Sequence, residues 1–100
     1  MSKKKIYEVV VRDCVNNRIF MSLGFYSTME KAKRHVDWAL RVPLPGTRRR
    51  EVAEGITEQL SMPEYPYNGN ALLYGGTEWE NKGGNALDWL IVEHYLDPLV

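Results

Sequence analysis

The sequence has little cysteine, little histidine and no long apolar run. A single cysteine, Cys14, excludes an internal disulfide, and the two histidines stand far apart without metal-ligand spacing. No apolar run is longer than the four residues from Trp89 to Val92, well below the roughly 20 needed to span a bilayer. A cationic segment followed by an apolar run is also missing, so no secretory signal is expected. We therefore expect a cytoplasmic protein with no membrane partner, no metal and no cofactor.

The length of 100 residues predicts a single domain, residues 1–100, with a thin core. Such a domain keeps only about 5–15 kcal/mol of net stability. Its apolar content of 44% must therefore be buried efficiently or shared with a second subunit. A homodimer is one of the alternatives that follow.

Charge is divided unevenly between the two halves of the chain. Residues 1–50 hold 12 of the 13 Lys and Arg against four acids, and residues 51–100 hold one Lys against nine acids. The halves thus carry net charges of +8 and −8, although the whole chain is neutral. This asymmetry indicates either a charged partner or the docking of one half on the other.

Two alternating segments predict a β-hairpin over residues 6–26. The first is rich in β-branched residues, and the second alternates apolar with small or aromatic positions. Between them, Asn16 and Asn17 tolerate the positive φ angles of a tight turn.

A helix is predicted over residues 27–41. It begins with a capping box in which the Ser27 hydroxyl accepts from the third helical amide and Glu30 reaches back to the cap amide. Apolar residues then recur at helical spacing until Pro43 ends the pattern.

A second helix is predicted over residues 47–60, because Val52, Ile56 and Leu60 recur every fourth residue. Gly55 weakens this prediction. A strand is the alternative, since the three apolar residues also share strand parity, but the acidic residues between them disfavour it.

Prolines and glycines are so frequent in residues 61–85 that a long loop is predicted there, able to contain a short strand at Ala71 to Tyr74.

Residues 88–97 predict a strand that is apolar on both faces, with a helix capped by Asn85 as the alternative. The expected fold is α+β, with an antiparallel sheet made of the hairpin and the C-terminal strand. One main helix covers the sheet, and the last strand lies beside the first.

The sequence gives little support for catalysis. In a strand, Glu93 and His94 point to opposite faces and cannot form a local acid–base pair. Cys14 has no base placed beside it by the sequence. The glycine-rich turns match no phosphate-binding pattern. We therefore expect that the protein is not an enzyme, and a small-ligand or enzymatic module is the minor alternative.

The long loop combines aromatic residues with acids. Aromatic residues and Met anchor protein interfaces because they bury much area while losing few rotamers. The acids suit a basic partner surface, or the basic half of a second copy. The predicted partner-binding residues are Met62, Glu64, Tyr65, Tyr67, Tyr74, Glu78, Trp79 and Glu80. The alternative is a loop that packs its own aromatics on the core.

Nucleic-acid binding is the second hypothesis. Phosphate neutralisation by clustered cations supplies most non-specific affinity for nucleic acids. Neutral overall charge and nine acids in the second half disfavour it. The candidate residues are Lys31, Lys33, Arg34, Arg48, Arg49 and Arg50.

Residues 24–32, with the sequence GFYSTMEKA, follow the predicted hairpin turn. A strand-like segment, IVEHYLD, comes later in the chain at residues 91–97. This order of strand, capped helix and strand resembles the small ββαβ proteins of bacteriophages and prophages, over residues 6–41 and 88–97. Such proteins often bind and block a host protein, including defence systems, so the resemblance implies a non-catalytic inhibitor of a host protein. It transfers no functional residue, since the matching positions are structural.

Overall fold

The sheet and its helix are seen in a computed structural model that describes residues 4–13, 18–42, 45–49, 65–79 and 86–96. Within these residues the elements are β1 (Lys4–Asp13), β2 (Arg18–Tyr26), α1 (Met29–Arg41), β3 (Thr47–Arg49), β4 (Ala71–Trp79) and β5 (Ala86–Leu96). The five strands form one antiparallel sheet in the order β2-β1-β5-β4-β3. The α+β prediction is confirmed.

Strands β1 and β5 form the longest pairing in the sheet, with Val9 opposite Ile91 and Val10 opposite Leu90. Both strands are apolar on both faces, which suits strands that lie inside a sheet and are covered on either side. Three predictions are confirmed here. Strands β1 and β2 pair antiparallel as the predicted hairpin requires, the C-terminal segment is a strand rather than a helix, and that strand lies beside β1. The predicted turn at Asn16 and Asn17 lies outside the described residues.

Successive side chains of the central strands point to opposite faces of the sheet, and they form one apolar cluster on each face. On the first face, Val9 and Ile91 pack against α1. On the other face, Val10 and Leu90 form a second cluster, which we call the far-face cluster. Tyr65, Tyr67 and other partly buried residues pack against it. The far face is the side of the sheet away from α1.

Helix α1 buries one stripe, formed by Ala32, Val36 and Leu40 at four-residue spacing. Its N-cap is Thr28, whose hydroxyl oxygen accepts from the Lys31 amide at 3.2 Å. The expectation that Ser27 caps the helix is therefore wrong by one residue. The Ser27 hydroxyl instead accepts from the Lys31 ammonium at 3.2 Å.

The prediction of a second helix is wrong for the part of it that the structure describes. Residues 47–49 form the short strand β3, which pairs with the end of β4, Thr47 lying opposite Trp79. Gly46, with φ of 82°, makes the preceding turn in the left-handed region that glycine adopts freely. The edge of β4 offers this segment backbone partners, and such pairing overrides a local helical period. Residues 50–60 of the predicted helix lie outside the described residues.

Of the long loop predicted over residues 61–85, the structure describes residues 65–79, and nine of these form the strand β4. The predicted short strand, Ala71 to Tyr74, forms its first part. Gly75 and Gly76 are buried within β4, where they lie opposite Trp89 and Asp88 of β5. An irregularity in the pairing falls just before Gly75. Glycines inside a strand often mark such a bulge, and here their number made a strand resemble a loop.

The helix stripe predicts a large stability difference between two neighbouring residues of α1. Leu40 is fully buried and Trp38 is 69% exposed. Leu40→Ala should lower the free energy of unfolding by about 2–5 kcal/mol, because it leaves a cavity in the core. Trp38→Ala, the control, should change it by no more than about 0.5 kcal/mol. Urea unfolding followed by circular dichroism measures both, and equal losses would contradict the packing of α1.

Candidate functional site

A concave site of about 610 Å³ lies on the far face of the sheet. Aromatic residues are prominent in its lining, where Phe25, Tyr65, Tyr67 and Tyr95 accompany His94. We call this site the aromatic pocket. The ring centroids of Phe25 and His94 are 5.8 Å apart, those of Tyr65 and His94 6.5 Å, and those of Tyr65 and Tyr67 6.5 Å. Residues from β2, β5 and the segment before β4 thus meet in one wall of rings.

Three hydrogen bonds hold the segment that carries Tyr65 and Tyr67 against β5. The Asn68 side chain donates to the Tyr95 carbonyl at 2.7 Å and accepts from the Tyr95 amide at 2.6 Å. The Glu93 amide donates to the Asn70 carbonyl at 2.7 Å. These bonds hold the segment against the end of β5, so the two tyrosines have fixed positions.

Gly69 is required for this close approach. A Cβ atom added there would lie 2.5 Å from the Glu93 carbonyl oxygen, a distance that real Cβ contacts do not show. The carbonyl oxygen belongs to the backbone of Glu93, so it cannot move aside as the end of a flexible side chain would. The sequence pattern of Asn68, Gly69 and Asn70 is explained by this attachment to β5 and needs no phosphate.

The floor of the aromatic pocket holds the carboxyl group of Glu8, which is only 3% exposed. Its Oε1 atom lies 2.9 Å from Nε2 of His94, and the Ser22 hydroxyl donates to Oε2. The Tyr65 hydroxyl is also hydrogen-bonded to it. An ionised carboxylate only accepts, so three neighbouring groups can serve it as donors. The carboxylate can therefore be buried without an unsatisfied oxygen.

The register of β1 and β5 brings Glu8 and His94 together. Ile6 lies opposite His94 and Glu8 opposite Val92, so Glu8 and His94 are diagonal neighbours on the same face. Glu93, the acid adjacent in sequence, belongs to the other face. Glu8 and Ser22 were not predicted as neighbours of His94, because in the sequence Glu93 is the acid that stands beside it. A charged residue inside the β-branched run of β1 was the signal that could have identified Glu8.

Burial raises the pKa of the Tyr65 hydroxyl above its ordinary value, and the hydrogen bond to Glu8 raises it further. The phenol therefore keeps its proton and remains a donor at alkaline pH values where an ordinary tyrosine begins to ionise. An acid–base pair and a wall of rings thus share one open pocket. This arrangement can bind an apolar or aromatic group, and its Glu8–His94 pair has the chemistry of a proton-transfer unit.

The predicted partner-binding residues are separated by the fold. Tyr65 and Tyr67 line the aromatic pocket. Tyr74 is buried under α1, with its hydroxyl donating to Asp37 at 3.2 Å. Trp79 lies at the other end of the sheet, where β4 pairs with β3, and is 42% exposed. Met62, Glu64 and Glu80 lie outside the described residues.

The predicted nucleic-acid residues lie on α1 and β3. Two of them have acidic partners: Arg48 lies 3.5 Å from Glu78, and Arg49 lies 3.2 Å from Asp37. The Lys33 ammonium lies 5.8 Å from the centre of the Tyr74 ring. Lys31 and Arg34 are exposed on α1, and Arg50 lies outside the described residues. The positive charge on this side of the protein is therefore partly neutralised.

No protein-family model matches the chain, and neither a curated protein nor a solved structure matches it. The resemblance to phage ββαβ proteins stays a prediction. In the described part of the chain, no helix is long and apolar enough to cross a membrane. Among the same residues, no group of three or more His, Cys, Asp and Glu side chains could hold a metal ion.

The raised pKa of Tyr65 predicts a loss of stability at alkaline pH. Above about pH 10 the unfolded chain ionises this tyrosine while the folded chain keeps its proton, so stability falls as pH rises. Tyr65→Phe should make that fall less steep and leave the pH dependence below about pH 9 unchanged. Lys5, whose pKa is also raised, adds a similar fall that both proteins retain. Urea unfolding across this range measures the slopes, and identical slopes would contradict the buried phenol.

Proposed function

We propose that the protein is a non-catalytic binding protein that holds a segment of another protein in the aromatic pocket. One observation carries the proposal. The fold brings two of the expected partner-binding residues, Tyr65 and Tyr67, beside the 60%-exposed ring of Phe25, in a concave site with a polar floor. The resemblance to phage proteins extends the proposal to an inhibitor of a host protein, such as a component of a defence system.

Exposed rings in a concave site favour this function. Aromatic side chains that fill pockets supply much of the binding energy at protein interfaces. The pocket volume falls within the roughly 300–1,000 Å³ of ordinary binding sites, and its open shape admits a side chain from a larger partner. The bonds from Asn68 to Tyr95 fix the wall before binding, which lowers the cost of ordering it.

The Glu8–His94 pair favours a second candidate, a small-ligand or enzymatic module that uses the same pocket. Among the described lining residues, no Ser or Cys nucleophile stands beside the imidazole, and the nearby Ser22 donates to Glu8 instead. Binding is therefore the better supported use. Nucleic-acid binding is less well supported, because Arg48 and Arg49 each have an acidic neighbour.

Phe25 and Trp38 provide a matched test, because both are exposed aromatics and they belong to opposite sides of the sheet. The unchanged protein should capture a partner from a host lysate. Phe25→Ala should fail to capture that partner, whereas Trp38→Ala should still capture it. Mass spectrometry identifies the captured protein, and calorimetry with the purified partner then measures the affinity. Loss of an exposed anchor ring should weaken binding at least about tenfold.

Circular dichroism and thermal unfolding of both variants serve as the control, and both should resemble the unchanged protein. Equal affinity of the partner for Phe25→Ala and for the unchanged protein would contradict the proposal.

A further inference from the structure

The aromatic pocket contains a buried acid but no resident cation among the residues that the structure describes. The described residues that line it include neither Lys nor Arg. Among the described residues, the groups that hydrogen-bond to Glu8 are two hydroxyls and an imidazole. Hydroxyl donors satisfy the oxygens of a carboxylate without cancelling its charge, and a neutral imidazole does the same. Glu8 is the one carboxylate among the described residues that line the pocket, so it gives the floor its negative character.

On the opposite face of the same two strands, a carboxylate and an aromatic ring together hold a cation. The Lys5 ammonium lies 3.2 Å from the Glu93 carboxylate and 5.1 Å from the centre of the Tyr95 ring. A cation there contacts a carboxylate and an aromatic ring at once. The aromatic pocket offers a carboxylate and several rings, but the described residues place no cation among them.

The spacing of the rings suits a cation. Cation–π attraction acts within about 6 Å of a ring centroid. The centroids of Phe25, His94, Tyr65 and Tyr67 follow one another at 5.8 to 6.5 Å, so a group seated over one ring lies near the next. The negative charge of Glu8 beneath them adds a Coulomb attraction, which is stronger in a partly buried site than in water.

We propose that the aromatic pocket binds a basic side chain of the partner protein, an alkylammonium or a guanidinium group. This inference rests on the proposed function and names the chemistry of the group that enters the site. The aliphatic stem of such a side chain contacts the rings and Ile6 at the edge of the pocket, while its charged end lies over the floor. Glu8 is too deeply buried for full contact, so its charge acts mainly across a short distance.

Small probes test the inference without the partner. Butylammonium, butylguanidinium, the neutral pentan-1-ol and the anion butyrate are each titrated into the protein, and the resonances of Phe25, Tyr65 and His94 are followed by NMR. At least one of the cations should bind in the pocket about tenfold more tightly than pentan-1-ol, and butyrate should bind more weakly than either cation. A preference between the two cations indicates whether the natural group is from lysine or arginine.

Two variants separate the charge from the rings. Glu8→Gln keeps the size of the side chain and removes its charge, so it should weaken cation binding about tenfold and leave pentan-1-ol unchanged. Phe25→Leu keeps an apolar surface at an exposed position and removes the ring. Phe25→Leu should also weaken the binding of the cations more than the binding of pentan-1-ol. It provides the test if Glu8→Gln does not fold.

Equal binding of pentan-1-ol and the cations, or no shift of the pocket resonances with either cation, would overturn the inference. The proposed function has a separate test. If a captured partner still depends on Phe25 but the probes show no preference for positive charge, the pocket is a protein-binding site of a different chemistry. If the cations bind but Phe25→Ala retains the partner, the pocket recognises cations and the partner binds elsewhere.

Discussion

The pairing of β1 with β5 is the constraint on which the rest of the structure depends. It joins the two ends of the chain through ten consecutive pairs, from Lys4 opposite Leu96 to Asp13 opposite Leu87. Strand β2 attaches to β1, β4 attaches to β5, and β3 attaches to β4. Because side chains alternate, a slip of one residue would transfer every side chain of one strand to the other face relative to its partner. Both apolar clusters and the aromatic pocket require this one register.

Charge reinforces the register. Arg12 and Asp88 lie opposite each other in the β1–β5 pair, with Nη2 2.5 Å from Oδ2, and both side chains are largely buried. Lys5 and Glu93 form a second link between the same strands. Exposed pairs stabilise by only about 0–1 kcal/mol, but separating a buried pair costs about 3–5 kcal/mol because an uncompensated charge remains. The buried pair therefore disfavours a slipped register, which would leave its members on opposite faces.

These pairs also account for part of the uneven charge of the chain. Lys5, Arg12 and Arg48 come from the basic half, and each lies beside an acid from the acidic half. The two halves are thus partly complementary within one sheet. Glu8 is different, since its described partners are hydroxyl groups and an imidazole. It belongs to the basic half in sequence and still supplies the negative floor of the pocket.

Local patterns predicted the parts of the fold that local physics determines. The hairpin, α1 and the last strand could be found because each has a strong period and clear ends, although the cap was placed at Ser27 rather than Thr28. Strand β4 could not be found in full, because Gly75 and Gly76 are tolerated only through pairing with β5. Tyr65 and Tyr67 were predicted as partner-binding residues from their residue type, and the fold places both in the lining of the pocket. Glu8 and His94 are separated by 86 residues, so their contact follows only from the strand register.

The register of β1 and β5 places Glu8 and His94 side by side beneath the rings of the pocket. NMR measures it directly, through cross-strand NOEs between β1 and β5 and through NOEs from the Phe25 and Tyr65 rings to His94. We expect NOEs that place Val9 opposite Ile91 and Ile6 opposite His94, together with both ring contacts. A register shifted by one residue, with His94 on the same face as α1, would contradict it.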